Sequence, residues 1–237
     1  CGVALPGIYW PGRGVAWAPN LWGRQEVPLL AVLAPRLRWP LALDSDRAAY
    51  VLGEQWKGVA QGSQDVVYLA AGTGIGAGIL CGGRLCRGAS GIAGAVGWFA
   101  LTPEWKPVYA ERGCLEAEAA GPAVARRLGA PGAESVVQAA RAGDPAALRA
   151  LDETARWLGM AVANLISALD PEIVVLGGGL MSAGDLLLEP VRREARRWAQ
   201  PVAAARVRIE LTALGEDAGV IGAARLAWGK AEGEDVC

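Results

Sequence analysis

Residues 66–97, VVYLAAGTGIGAGILCGGRLCRGASGIAGAVG, constrain this chain more than any other stretch. The apolar, β-branched run Val66–Ala71 predicts a buried strand. Gly72-Thr73-Gly74-Ile75-Gly76 interrupts it, a second apolar run follows over Ala77–Cys81, and Gly82-Gly83 predicts a turn into a strand over Arg84–Arg87. No helical period follows the first glycines, so the pattern departs from the dinucleotide-binding fingerprint, whose glycines open a helix. Glycines let a backbone pass close to an anion, and the amides of such a turn, with the Thr73 hydroxyl, suit phosphate oxygens. A glycine-rich hairpin with no ligand would show the same pattern.

A second glycine turn lies downstream. Glu172–Leu176 predicts a core strand, Gly177-Gly178-Gly179 follows, and Ser182 is placed to cap a helix over Gly184–Ala199. A triple glycine after a strand suits the close approach of an adenosine and its phosphates, and equally a plain strand-to-helix turn. Two carboxylates stand out. Asp46 follows the short strand Pro40–Leu43 and precedes an amphipathic helix over Arg47–Gly58, where α/β folds present ligand-facing groups; an N-cap role for Asp46 or Ser45 is the alternative. Glu116 opens a helix over Glu116–Leu128, where a carboxylate is also favoured by the macrodipole.

The remaining pattern is that of an alternating α/β protein. Helices are expected over Val27–Leu37, Ala133–Ala142, Asp144–Ala168 and Ala218–Trp228, a last strand over Val207–Leu211, and a frayed tail over Ala231–Cys237. In the longest helix Leu151, Ala155, Leu158, Val162, Leu165 and Leu169 recur at three- and four-residue steps and mark the buried face. Tyr9–Arg24 reads as a long connection or short hairpin, whose Trp10, Trp17 and Trp22 either cover the core edge or stack on a ligand.

Hydrophobic residues make up 53% and charged residues 20% of the 237, which excludes a disordered chain. Lys and Arg number 23 against 24 Asp and Glu, so no basic excess argues for nucleic-acid binding by this portion. No apolar run approaches the roughly 20 residues that cross a bilayer. Five cysteines without framework spacing suggest reduced thiols and a cytoplasmic setting. The chain has no histidine, which removes Ser-His, Cys-His and HExxH chemistry and leaves acid–base work to a carboxylate, Lys, Tyr or Cys.

Taken in order, these segments resemble the ROK family (repressors, open reading frames and sugar kinases) of the actin-like ATPase superfamily. Residues 66–97 look like its second phosphate loop and hairpin. Gly2–Gly7 is similar to its strand ending in Pro-Gly, and Asp44-Ser45-Asp46 lies where it has Asn-Asp. Gly113-Cys114-Leu115-Glu116 matches its Gly-Cys-Leu-Glu, and Ile173–Gly179 with Ser182–Arg193 resembles its adenosine-binding strand, glycines and helix. The resemblance implies an α/β, ribonuclease H-like ATPase fold in two lobes, the N-terminal lobe incomplete. The expected division is 1–62, 63–215, and 216–237 returning to the first lobe. The Asp-x-Gly-Gly-Thr loop that opens family members does not occur, so the chain is expected to be truncated.

By the same resemblance, Asp46 is the catalytic base, and Asn20, Ser45, Asp46, Trp98 and Glu116 line the sugar site. Gly72, Thr73, Gly74, Gly76, Gly177, Gly178 and Gly179 hold the nucleotide, with ATP and Mg²⁺ as the cofactors of a kinase. The chain also departs from the family. Gly94-Ala95-Val96-Gly97-Trp98 stands where Gly-Glu-x-Gly-His holds sugar hydroxyls, and each lost hydrogen bond costs about 1–3 kcal/mol. The family's zinc ligands fall on Trp98, Pro107, Tyr109 and Cys114, so no zinc is expected. These departures favour a non-catalytic sugar-recognition domain of a transcriptional regulator, working as a homodimer that binds a monosaccharide. An ATP-dependent sugar kinase of altered specificity is the alternative.

Overall fold

The computed structural model describes residues 1–233 and divides into two units. The first comprises 1–68, 78–94 and the chain from 212 onward; the second comprises 69–77 and 95–211. This differs from the expected division, because the hairpin after the glycine turn belongs with the first unit.

In the first unit, β1 (Gly2–Leu5) pairs in parallel with β5 (Ala42–Ser45), placing Leu5 opposite Ser45. Between them β2 (Ile8–Trp10), β3 (Val15–Trp17) and β4 (Glu26–Val27) form an antiparallel sheet, so Tyr9–Arg24 contains a hairpin. Its buried residues Tyr9, Ala16 and Ala18 join Leu5, Leu41 and Leu43 in one core, and Trp22 packs against that core. The helix expected over Val27–Leu37 is shorter, Leu29–Leu33 followed by a 3₁₀ turn Ala34–Arg36, because Val27 is taken into β4.

The helix Asp46–Lys57 packs on the helix Ala218–Glu232. Their backbones meet so closely that a Cβ on Gly222 would lie 1.7 Å from the Ala49 carbonyl oxygen. Glu54 is fully buried, accepting N–H bonds from Val59 (2.9 Å) and Leu214 (3.1 Å) and a hydroxyl bond from Thr212. A buried carboxylate is tolerated because its lone pairs are filled. The last helix runs past Trp228 and closes at Gly233, whose φ of 69° is left-handed; the rest of the expected frayed tail lies outside the described residues.

A five-stranded sheet has the order β10-β9-β6-β7-β8, with β6 at Val66–Ala71, β7 at Ile75–Cys81, β8 at Arg84–Leu85, β9 at Ile173–Gly177 and β10 at Arg208–Leu211. In the second unit, β9 and β10 pair in parallel, Ile173 opposite Arg208. The helix Pro145–Leu169 starts from Asp144, whose carboxylate accepts the Ala146 N–H at 2.8 Å, and ends at Asp170 in the left-handed region, before Pro171. Leu151, Ala155, Leu158, Val162 and Leu165 are buried, the face read from periodicity, and it packs on the helix Gly184–Trp198.

Two expected details are corrected. Ser182 does not cap the helix Gly184–Trp198; it lies in a 3₁₀ turn, Gly179–Ala183, and its carbonyl accepts from Arg141. The helix expected over Glu116–Leu128 is two, Cys114–Ala119 and Gly121–Arg127, broken where Ala120 is extended and the Gly121 N–H turns to the Gly72 carbonyl at 2.8 Å.

Candidate functional site

In the second unit the two glycine turns abut. A Cβ on Gly72 would stand 3.5 Å from the Gly179 nitrogen. The first turn closes on itself through a Gly72 N–H bond to the Gly74 carbonyl at 2.9 Å. Gly177 is the buried end of β9, while Thr73, Gly74, Gly178 and Gly179 are exposed. Gly178 must be glycine twice over: its φ is 87°, and a Cβ would lie 2.5 Å from the Ala71 carbonyl oxygen. Beside Gly179 the space is open. Gly76 sits within β7, one residue past the turn. The result is an exposed wall of backbone in which Thr73 alone bears a side chain, a surface that lets phosphate oxygens approach main-chain amides.

Glu116 joins this group. Its Oε2 accepts the Ile75 N–H at 2.8 Å, and the carboxylate lies against Gly74 and Gly97. Burial raises its pKa, opposed by the Ile75 N–H and the Arg112 charge. Sequence had placed Glu116 at the sugar; that it also touches the glycine turn was not legible, since the partners are 41 residues apart.

Trp98 ends a 3₁₀ turn, Val96–Trp98, and is 57% exposed, so it does not fill a core site. It lines a small cavity of about 170 Å³ with Trp105, Tyr109 and Cys114. Three of the four residues matched to the family's zinc ligands thus surround one space. Tyr109 donates its hydroxyl to Glu118 at 2.6 Å, and Lys106 meets the same carboxylate at 2.6 Å. Burial and the Glu118 bond push the Tyr109 pKa up to about 12. Among the described residues no group of three or more His, Cys, Asp or Glu could hold a metal ion.

In the first unit, β5 delivers three polar residues with three different fates. Asp44 is 3% exposed; one oxygen accepts the Ser45 N–H at 2.7 Å and the other takes Arg87 through Nε at 3.0 Å and a second guanidinium contact. Ser45 is the helix N-cap, its hydroxyl accepting the Ala48 N–H at 3.2 Å. Asp46 is therefore not the cap. It opens the helix, its Oδ1 accepting the Arg47 N–H at 2.8 Å, with no side chain hydrogen-bonded to it among the described residues. Burial raises its pKa, opposed by the Arg47 N–H and charge. Arg47 in turn donates to the Ala93 carbonyl at 3.4 Å. Asn20 is exposed in a short helix, Pro19–Trp22. Trp10 and Trp22 spend their indole N–H groups on the Ser90 and Gln25 carbonyls, and Trp22 serves as core cover. Arg87, Glu54 and Gly97 are contacts that sequence reading missed.

The sequence profile of the ROK family matches residues 1–230. A glucokinase of Halalkalibacterium halodurans is 34% identical over 242 residues, covering 93% of this chain and 73% of the relative. Among solved structures, a ROK family glucokinase from Streptomyces griseus, in complex with glucose and AMPPNP, superposes with a TM-score of 0.81 at 31% identity, over 96% of this chain and 80% of that one. A ROK family transcriptional regulator, homologous to the E. coli MLC protein, gives a TM-score of 0.86 at 25% identity, over 98% of this chain and 63% of that one. The α/β, actin-like ATPase fold is shared with these structures. No helix among the described residues is long and apolar enough to cross a membrane. Glycine turns, strand-end aspartate and a match over residues 1–230 agree: the chain belongs to the ROK family.

Proposed function

We propose that this chain carries the sugar and nucleotide sites of an ATP-dependent sugar kinase with shifted acceptor preference. The observation that carries this reading is the contrast between two aspartates two residues apart. Asp44 is consumed by Arg87, whereas Asp46 is desolvated and hydrogen-bonded by main chain alone. A carboxylate kept free and less acidic than usual suits a group that accepts a hydroxyl proton. The glucokinase relatives support the same reading.

The backbone wall of Gly72, Thr73, Gly178 and Gly179 fits a nucleotide's phosphates, since any Cβ at Gly178 would collide with Ala71 and the space beside Gly179 is open. Bound ATP supplies the phosphoryl group, and Mg²⁺ neutralises its charge. Among the described residues there is no carboxylate cage, and Mg²⁺ would be held chiefly by phosphates and water. Asp46 takes the proton of the attacking sugar hydroxyl, and Asn20 of the same unit binds the sugar; Glu116 of the second unit has its own proposed role as a sugar contact. Ala95 and Trp98 offer no carboxylate or imidazole to its hydroxyls, which lowers affinity for an unmodified hexose. The test is phosphoryl transfer from ATP to a panel of monosaccharides. Transfer to at least one, lost in Asp46→Asn, supports the reading; sugar binding with no transfer to any overturns it.

That second outcome is the prediction of the other reading, a non-catalytic sugar-recognition domain of a transcriptional regulator. It is favoured by the altered polar pair at Ala95 and Trp98 and by the likeness to a ROK regulator. Sugar binding would then act by shifting the balance between conformations with different partner affinity.

A further inference from the structure

Gly74 lies in the first glycine turn, yet its φ is not in the left-handed region, so the turn's shape does not demand a glycine there. What a side chain there would displace is the Glu116 carboxylate. A Cβ on Gly74 would lie 2.9 Å from Glu116 Oε2, and the three atoms nearest to it all belong to that carboxylate. Gly97 is tight against Ile75 and Glu116: its Cβ would lie 2.7 Å from the Ile75 carbonyl oxygen, 3.2 Å from the Glu116 Cβ and 3.3 Å from Oε2. Both glycines thus border the Glu116 carboxylate, Gly97 also clearing the Ile75 carbonyl, and between them Oε2 takes the Ile75 N–H at 2.8 Å.

We propose that Glu116 is the positioning residue of the nucleotide turn: its carboxylate, admitted by Gly74 and Gly97, anchors Ile75 and so sets the turn 72–75 to receive phosphate. The inference rests on the kinase reading for its ligand, but the anchoring itself does not. A bond from a main-chain N–H to a charged acceptor is stronger than one to a neutral acceptor, and in a part-buried site it resists exchange with water. The anchor matters because the turn's other fixed points are few: the Gly72 N–H bond to Gly74, and the Gly121 N–H bond to the Gly72 carbonyl. Oε1 remains for a sugar hydroxyl, so the role is compatible with substrate contact. Burial raises the pKa of this carboxylate, as expected of a group held where water is scarce.

A double-mutant cycle tests it. Gly74→Ala should act only by pushing the carboxylate off Ile75, so it should have the same effect as Glu116→Ala, and the double variant should be no worse than either single one. The first readout is the Ile75 amide proton resonance, which should move upfield in each single variant as its bond is lost. The second is the dissociation constant of Mg·AMPPNP by calorimetry, expected to weaken about tenfold in each single variant and no further in the double. Additive effects, or an unmoved Ile75 amide in Glu116→Ala, would overturn the proposal. If the native chain binds no nucleotide, the kinase reading fails, and the amide readout alone decides whether Glu116 anchors the turn.

Discussion

Asp44 and Asp46 illustrate how two identical side chains are sorted by their neighbours. Asp44 and Arg87 have side chains only 4% and 19% exposed, so removing one partner strands a charge away from water. Arg87→Met should therefore destabilise the chain by about 3–5 kcal/mol in urea unfolding, and Asp44→Asn on top of it should recover part of that loss. Asp46 runs the other way. Its pKa is raised on folding, so its contribution to stability is present at acid pH and is lost as pH rises through its folded value. Asp46→Asn should accordingly raise the melting temperature at pH 7, with the gain shrinking as pH falls through the carboxylate range. A carboxylate that weakens the fold while remaining free of side-chain partners is what a proton acceptor for substrate looks like. The position of Asp46 at a strand end was legible from pattern. Which of Ser45 and Asp46 caps the helix was not, because both are good caps and only the Ser45–Ala48 bond decides.

Elements were legible where the period is long and failed where tertiary contacts intervene. The helix Pro145–Leu169 declares itself through repeated apolar positions, an Asp cap and a closing Asp-Pro. Leu158→Ala, at a position 1% exposed, should cost about 3 kcal/mol in chemical unfolding, from lost burial and the cavity left behind. The break at Ala120 was easily passed over, since helix-forming residues lie on both sides of it. Gly121-Pro122 was its only local mark, and the cause is remote: Gly121 gives its N–H to Gly72. Likewise the glycine turns were plain in sequence as turns, but the use of Gly74 to admit Glu116 depends on a residue 42 positions away that no local spacing reveals.

At the scale of the molecule, an α/β chain of two units was legible, and the border was not. The hairpin 78–94 is held with the first unit in part by Arg87, which reaches back 43 residues to Asp44. A charged pair of that separation leaves no periodic trace. The composition, with no histidine, narrowed acid–base chemistry to carboxylate, Lys, Tyr or Cys side chains before any fold was known. What separates a kinase from a sensor in this family is whether the free carboxylate of Asp46 ever takes a proton from sugar. The most direct measurement is the rate of ADP formation across a monosaccharide panel, native chain against Asp46→Asn, at saturating Mg·ATP. Turnover with at least one sugar, falling by roughly a hundredfold or more in the variant, is the predicted result; equal rates in the two proteins would contradict it.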